Sequence, residues 1–76
     1  MIVSNRMREL REKQGYTQVS VAGVLGITKQ QYYLYESGKR EIPIHHLIAL
    51  ADYYDVSLDY LVGLTEKPFR RETKNG

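Results

Sequence analysis

Glycine and proline cut this chain at short intervals. Gly15, Gly26, Gly38 and Pro43 fall between segments of helical periodicity, so the chain can build only short helices. Between these breaks the apolar residues follow helical spacing, and no stretch alternates as a half-buried strand would. Val3, Met7 and Leu10 define one buried face and predict a first helix over residues 4–14, ended by Gly15. Thr17 and Thr28 are good N-caps for a second helix over 18–25 and a third over 28–37, closed by Gly26 and Gly38. Pro43 opens a fourth helix carrying Leu47, Leu50, Ala51 and Tyr54. Ser57 caps a short fifth helix, with Asp59 in the first turn where it suits the helix dipole.

The expected fold is all-α, a compact five-helix bundle over residues 1–65. Beyond it, residues 66–76 lose periodicity and read as a basic, flexible tail. The second helix has the least local support. Gly23 in its middle costs about 1 kcal/mol relative to alanine, and Val19, Val21 and Val24 lose rotamer freedom in a helix. Tertiary packing has to hold it in place.

The same residues exclude several kinds of function. With 76 residues and no cysteine, the chain has neither disulfides nor thiolate zinc sites to staple it, so apolar packing, helped by dimerisation, must supply stability. Nothing pairs a nucleophile with a base and an orienting group, so no enzymatic activity and no cofactor are expected. His45 and His46 are adjacent, whereas helical zinc pairs are spaced four apart, so no metal site is expected either. No apolar stretch approaches membrane-spanning length and no secretory signal opens the chain, which points to a soluble cytoplasmic protein.

Charge is unevenly spread. Residues 1–41 hold seven Lys/Arg against four Asp/Glu (+3), residues 42–65 hold three Asp and no Lys or Arg (−3), and residues 66–76 are +2. A basic first half turned toward a phosphate backbone and an acidic second half turned away suits nucleic-acid binding.

The informative segment is TQVSVAGVLGITKQQYYLYESGKR at 17–40. Two helices joined through a short glycine-containing turn make a helix-turn-helix. Ala22 falls where the two helices cross, while Ile27, Tyr32, Tyr35 and Glu36 follow the docked face of the third helix. Facing away are Lys29, Gln30, Tyr33 and Leu34. Lysine donates to guanine and glutamine pairs with adenine in the major groove, while Tyr33 and Leu34 suit thymine methyls and sugars. An exposed leucine beside an exposed tyrosine calls for a partner. Gln18 opens the second helix, where free amides and the dipole attract phosphate. Lys39 and Arg40 lie in the following loop and are expected to contact phosphates, as are Thr28 and Gln31 at the start of the third helix.

The segment resembles the Cro/CI-type helix-turn-helix regulators, the phage-repressor-like or XRE-type family. Gln18, Ala22, Gly26, Ile27, Tyr32, Tyr35, Glu36, Gly38, Lys39 and Arg40 carry the likeness, and LIALADYYDVSLDYLVGLT at 47–65 extends it to the fourth and fifth helices. The resemblance implies a lambda-repressor-like DNA-binding domain of bacterial or phage type. It implies that Gln18 clamps a phosphate and that Lys29, Gln30 and Leu34 face bases. It also implies that Arg11 and Glu36 form a partly buried structural ion pair. Val19, Ser20, Gly23 and Val24 depart from it, standing where the family usually has charged or polar residues.

The expected function is transcriptional regulation, most simply repression by a homodimer on a pseudo-palindromic operator in double-stranded DNA. Ile42, Ile44, Leu58, Tyr60, Leu61 and Leu64 supply the expected dimer surface, since they crowd the second half with more apolar area than a small core buries. The alternative is a protein-interaction module of the same fold, an antitoxin or anti-regulator whose partner is a toxin or antirepressor. Val19, Val24, Tyr33 and Leu34 would then form its surface.

Overall fold

Three helix starts in the computed structural model are closed by a hydroxyl side chain at the position the sequence marks for it. Residues 2–69 are described, and they form α1 (Ile2–Lys13), α2 (Gln18–Leu25), α3 (Lys29–Glu36), α4 (Ile44–Tyr54) and α5 (Leu58–Leu61). Thr17 Oγ1 accepts the Ser20 N–H at 3.0 Å while Ser20 Oγ accepts the Thr17 N–H at 3.1 Å. Thr28 and Gln31 repeat the reciprocal cap on α3, at 2.9 and 3.1 Å. Ser57 Oγ accepts the Tyr60 N–H at 3.0 Å and starts α5. Pro43 precedes α4 without a side-chain cap, its fixed φ of −63° suiting a helix entry.

The all-α, five-helix expectation holds, with shifted ends. Helix α1 begins at Ile2, two residues earlier than its apolar spacing indicated, and α3 is bracketed by Thr28 and Ser37 as caps. Gly26 takes φ +71° at the end of α2, and its own amide and that of Ile27 return to the carbonyls of Gly23 and Ala22. A left-handed residue here turns the chain sharply enough to lay α3 across α2.

Met7 and Leu10 of α1, Val21 and Ala22 of α2, Tyr32 and Tyr35 of α3, and Leu47, Leu50 and Ala51 of α4 meet in one core. The α2–α3 pair packs against α1 and α4, and α5 closes the bundle against α1 and α4. Ala22 is 1 % exposed, which leaves no room for a larger side chain at the crossing. Packing thus holds α2, whose own sequence favours a helix so little.

Two residues expected on a dimer surface are core residues instead. Ile42 and Leu61 are buried with Val56 and Leu47, because the α3–α4 loop turns Ile42 inward and the single turn of α5 inserts Leu61 beneath α1. Tyr60 is half-buried under the Arg6 guanidinium, 3.9 Å from its ring centre.

Residues 66–69 of the expected tail are described, and part of this segment contacts the bundle. Arg6 donates to the carbonyls of Tyr60 at 2.8 Å and Thr65 at 3.1 Å and reaches Glu66 Oε1 at 3.4 Å. The Ser57 N–H donates to the Pro68 carbonyl at 3.2 Å, drawing residues 66–68 back along α5. The rest of that expectation, residues 70–76, lies outside the described residues.

Candidate nucleic-acid interface

The outward face of α3 is set by what α3 buries. Tyr32, Tyr35 and Glu36 point inward, so the 100° step of the helix turns Lys29, Gln30 and Tyr33 outward. All three are exposed, Tyr33 by 45 %. Leu34 is half-buried and so offers less surface than the sequence reading gave it. Lys39, on the loop after α3, places its ammonium 5.5 Å from the Tyr33 ring centre, a cation–π distance that keeps its charge beside the reading face. Arg40 is exposed on the same loop, and its N–H donates to the Leu34 carbonyl at 3.1 Å. Thr28 and Gln31 are exposed but occupied with each other in the cap.

One buried carboxylate fixes this face to the rest of the fold. Arg11 Nε and Nη2 donate to Glu36 Oε1 and Oε2 at 2.8 and 2.9 Å, a bidentate pair between α1 and α3. Tyr32 Oη donates to Oε1 at 2.6 Å, and Gln18 Nε2 donates to Oε2 at 3.2 Å. Burial pushes the Glu36 carboxyl up, but hydrogen bonds from Arg11, Tyr32 and Gln18 outweigh it and hold its pKa below the ordinary value. Burial and the same carboxylate push the Tyr32 phenol up. Sequence reading treated Tyr32 as core alone, since apolar spacing carries no sign of where a phenol hydroxyl points.

Gln18 is therefore tied from below by one amide hydrogen and keeps a second for a ligand. Two shallow grooves meet at it. One is bordered by Gln18, Lys29, Gln30 and Tyr33, bringing the expected phosphate clamp together with expected base readers. The other runs between α1 and the end of α3, where Arg8 and Ser37 join Gln18 and Tyr33 above the Arg11–Glu36 pair. Arg8 and Ser37 escaped the sequence reading, which followed α1 for its buried stripe and for Arg11. Arg8 on the opposite stripe is the signal that could have found this groove.

The basic half is less uniform than its count suggests. Arg6 and Arg11 point into the molecule, while Arg8, Lys13, Lys29, Lys39 and Arg40 are exposed. The rings of His45 and His46 lie 4.1 Å apart, centre to centre. Burial and His45 lower the His46 pKa, and no cluster of three or more His, Cys, Asp or Glu suited to a metal occurs among the described residues. No helix among the described residues is long and apolar enough to cross a membrane.

Comparison with known proteins adds a family pattern. The pattern described as helix-turn-helix matches residues 7–61. The chain is 41 % identical over 63 residues to the uncharacterized HTH-type transcriptional regulator YobD of Bacillus subtilis, covering 83 % of this chain and 56 % of that protein. It is 37 % identical over 73 residues to the HTH-type transcriptional regulator ImmR of the same organism, covering 96 % and 58 %. The crystal structure of a transcriptional regulator from Listeria innocua superposes with a TM-score of 0.78 at 26 % identity, over 91 % of this chain and 64 % of that one. The chain thus spans little more than half the length of these curated relatives.

Proposed function

The chain belongs to the helix-turn-helix family, and from that premise we propose that it is a transcriptional regulator that binds double-stranded DNA with α3 in the major groove. The observation that carries the reading is the outward face of α3. Lys29, Gln30 and Tyr33 stand together beside Gln18 in one open groove, on a helix fixed from behind by the Arg11–Glu36 pair. Lys29 and Gln30 read base edges, and Tyr33 and the exposed part of Leu34 meet methyl groups or sugars. Gln18, Thr28, Gln31, Lys39 and Arg40 hold phosphates and set the register.

The protein acts as a two-fold dimer on an inverted repeat, and by occupying a promoter it represses. The contact draws on Ile44, Leu58 and Leu64, which are 62, 36 and 77 % exposed. Residues 1–65 form the DNA-binding unit of this reading, and its place of action is the cytoplasm. Exposed Val19 and Val24, at 61 and 43 %, favour a second reading in which α2 meets a protein partner such as a toxin or antirepressor.

Titration of a fluorescent duplex over a range of salt separates the two. DNA binding through several phosphates gives an affinity that falls steeply with salt. A flat salt response, or no duplex binding, would favour the protein partner. Sedimentation on and off DNA tests the dimer, and a monomer in both states would remove it.

A further inference from the structure

Arg8 is an exposed cation one turn before Arg11 on the same side of α1, yet the two do different things. Arg11 is neutralised by Glu36 at 2.8 Å and lies 4.0 Å from Glu12. Arg8 makes no ion pair among the described residues, so its full charge faces the groove it shares with Gln18, Tyr33 and Ser37. The carboxylate in that groove, Glu36, is 95 % covered and already holds Arg11, Tyr32 and Gln18 as donors. It therefore offers little to repel an anion arriving from solvent. The Ser37 hydroxyl makes only a 3.3 Å bond to the Leu34 carbonyl, weak enough to exchange for a better acceptor. Gln18 retains one amide hydrogen on the same rim.

Taken together, an unpaired guanidinium, a hydroxyl, an amide and the edge of an exposed phenol ring line one open groove. Its neighbour across Tyr33 contains Lys29 and Gln30. From this we infer that the groove between α1 and the end of α3 seats a phosphodiester of the same duplex, with Arg8 as its cation. The inference rests on the proposed DNA reading and extends it to a helix that reading leaves out. A backbone contact on α1 would brace the duplex beside the base edges, across Tyr33 from Lys29 and Gln30. It would raise affinity for every sequence alike, because phosphates are the same at each step. A guanidinium suits the task, since its planar fork matches two phosphate oxygens at once.

The test compares the whole chain with Arg8→Ala, Arg8→Lys and Lys67→Ala by anisotropy on a selected duplex and on a random one, from 50 to 200 mM salt. Lys67→Ala removes the same charge beside Ser57 and Asp59, outside this groove. Loss of one phosphate contact reduces the slope of log affinity against log salt by about 0.9, so the affinity lost between the two salt limits shrinks about 3.5-fold. We expect Arg8→Ala to show that reduced slope and weaker binding on both duplexes at low salt, with melting unchanged. Arg8→Lys should restore the slope but not all of the affinity. An Arg8→Ala protein matching the parent, or differing no more than Lys67→Ala does, would overturn the inference and leave the DNA reading standing. Failure of the parent to bind any duplex would remove both.

Discussion

Glu36→Gln tests whether the carboxylate under α3 organises the fold or merely decorates it. The substitution keeps the size and one carbonyl oxygen but removes the charge that holds Arg11 at 2.8 and 2.9 Å, Tyr32 at 2.6 Å and Gln18 at 3.2 Å. Breaking a buried ion pair from one side costs about 3–5 kcal/mol, because the other charge is left without a partner. Arg11 retains some contact with water, its side chain being 14 % exposed, and glutamine still accepts one hydrogen bond. The expected loss is therefore lower, about 2–4 kcal/mol. For a domain of this size it lowers Tm by about 8 °C or more. Urea titration followed by circular dichroism measures the change directly. A companion variant, Arg11→Met with Tyr32→Phe and Glu36→Leu, replaces the whole network by apolar groups and should recover much of the loss, since no buried charge or hydroxyl is then orphaned. A loss below about 0.5 kcal/mol for Glu36→Gln would place this pair among ordinary surface ion pairs and refute the reasoning.

Further outcomes follow from the same geometry. Gly23→Ala should stabilise by about 1 kcal/mol, because a Cβ there meets nothing within 4 Å and alanine is the better helix former; a lower Tm would contradict this. Tyr54→Phe should change stability little or raise it, since the buried Tyr54 hydroxyl has no partner among the described residues, whereas Tyr32→Phe should cost about 1–3 kcal/mol; chemical denaturation ranks the two. The lowered Glu36 pKa makes its contribution complete above the ordinary value of 4.5 and lost as pH falls through the lower folded value, so the acid limb of Tm against pH should flatten in Glu36→Gln. Gln30→Ala should cost about 1–3 kcal/mol on the selected site and relax one base position, while Lys39→Ala weakens selected and random duplexes alike; equal losses from both variants on both duplexes would contradict that division.

Local chemistry was legible in the sequence where one residue decides the outcome. Thr17, Thr28 and Ser57 start helices because a short hydroxyl reaches an amide three residues on, and Gly26 turns the chain because a φ of +71° disfavours almost every residue but glycine. The outward turn of Lys29, Gln30 and Tyr33 follows from the same periodicity that buries Tyr32 and Tyr35. Contacts between distant segments were not legible. Arg6 joins residues 54 and 59 positions away in the chain, and no spacing rule marks an arginine for that role. Apolar content likewise could not divide Ile42 and Leu61, which fill the core, from Ile44 and Leu64, which face solvent. That division depends on how the α3–α4 loop and the single turn of α5 are aimed. Leu34 falls between the two groups, half-buried at the edge of the reading face.

The central claim is that α3 reads DNA sequence, and selection of bound duplexes from a random library at near-physiological salt tests it most directly. The account predicts enrichment of an inverted repeat with half-sites about one helical turn apart, and loss of preference at one position of each half-site in Gln30→Ala. Recovery of no preferred sequence by the parent protein would contradict it.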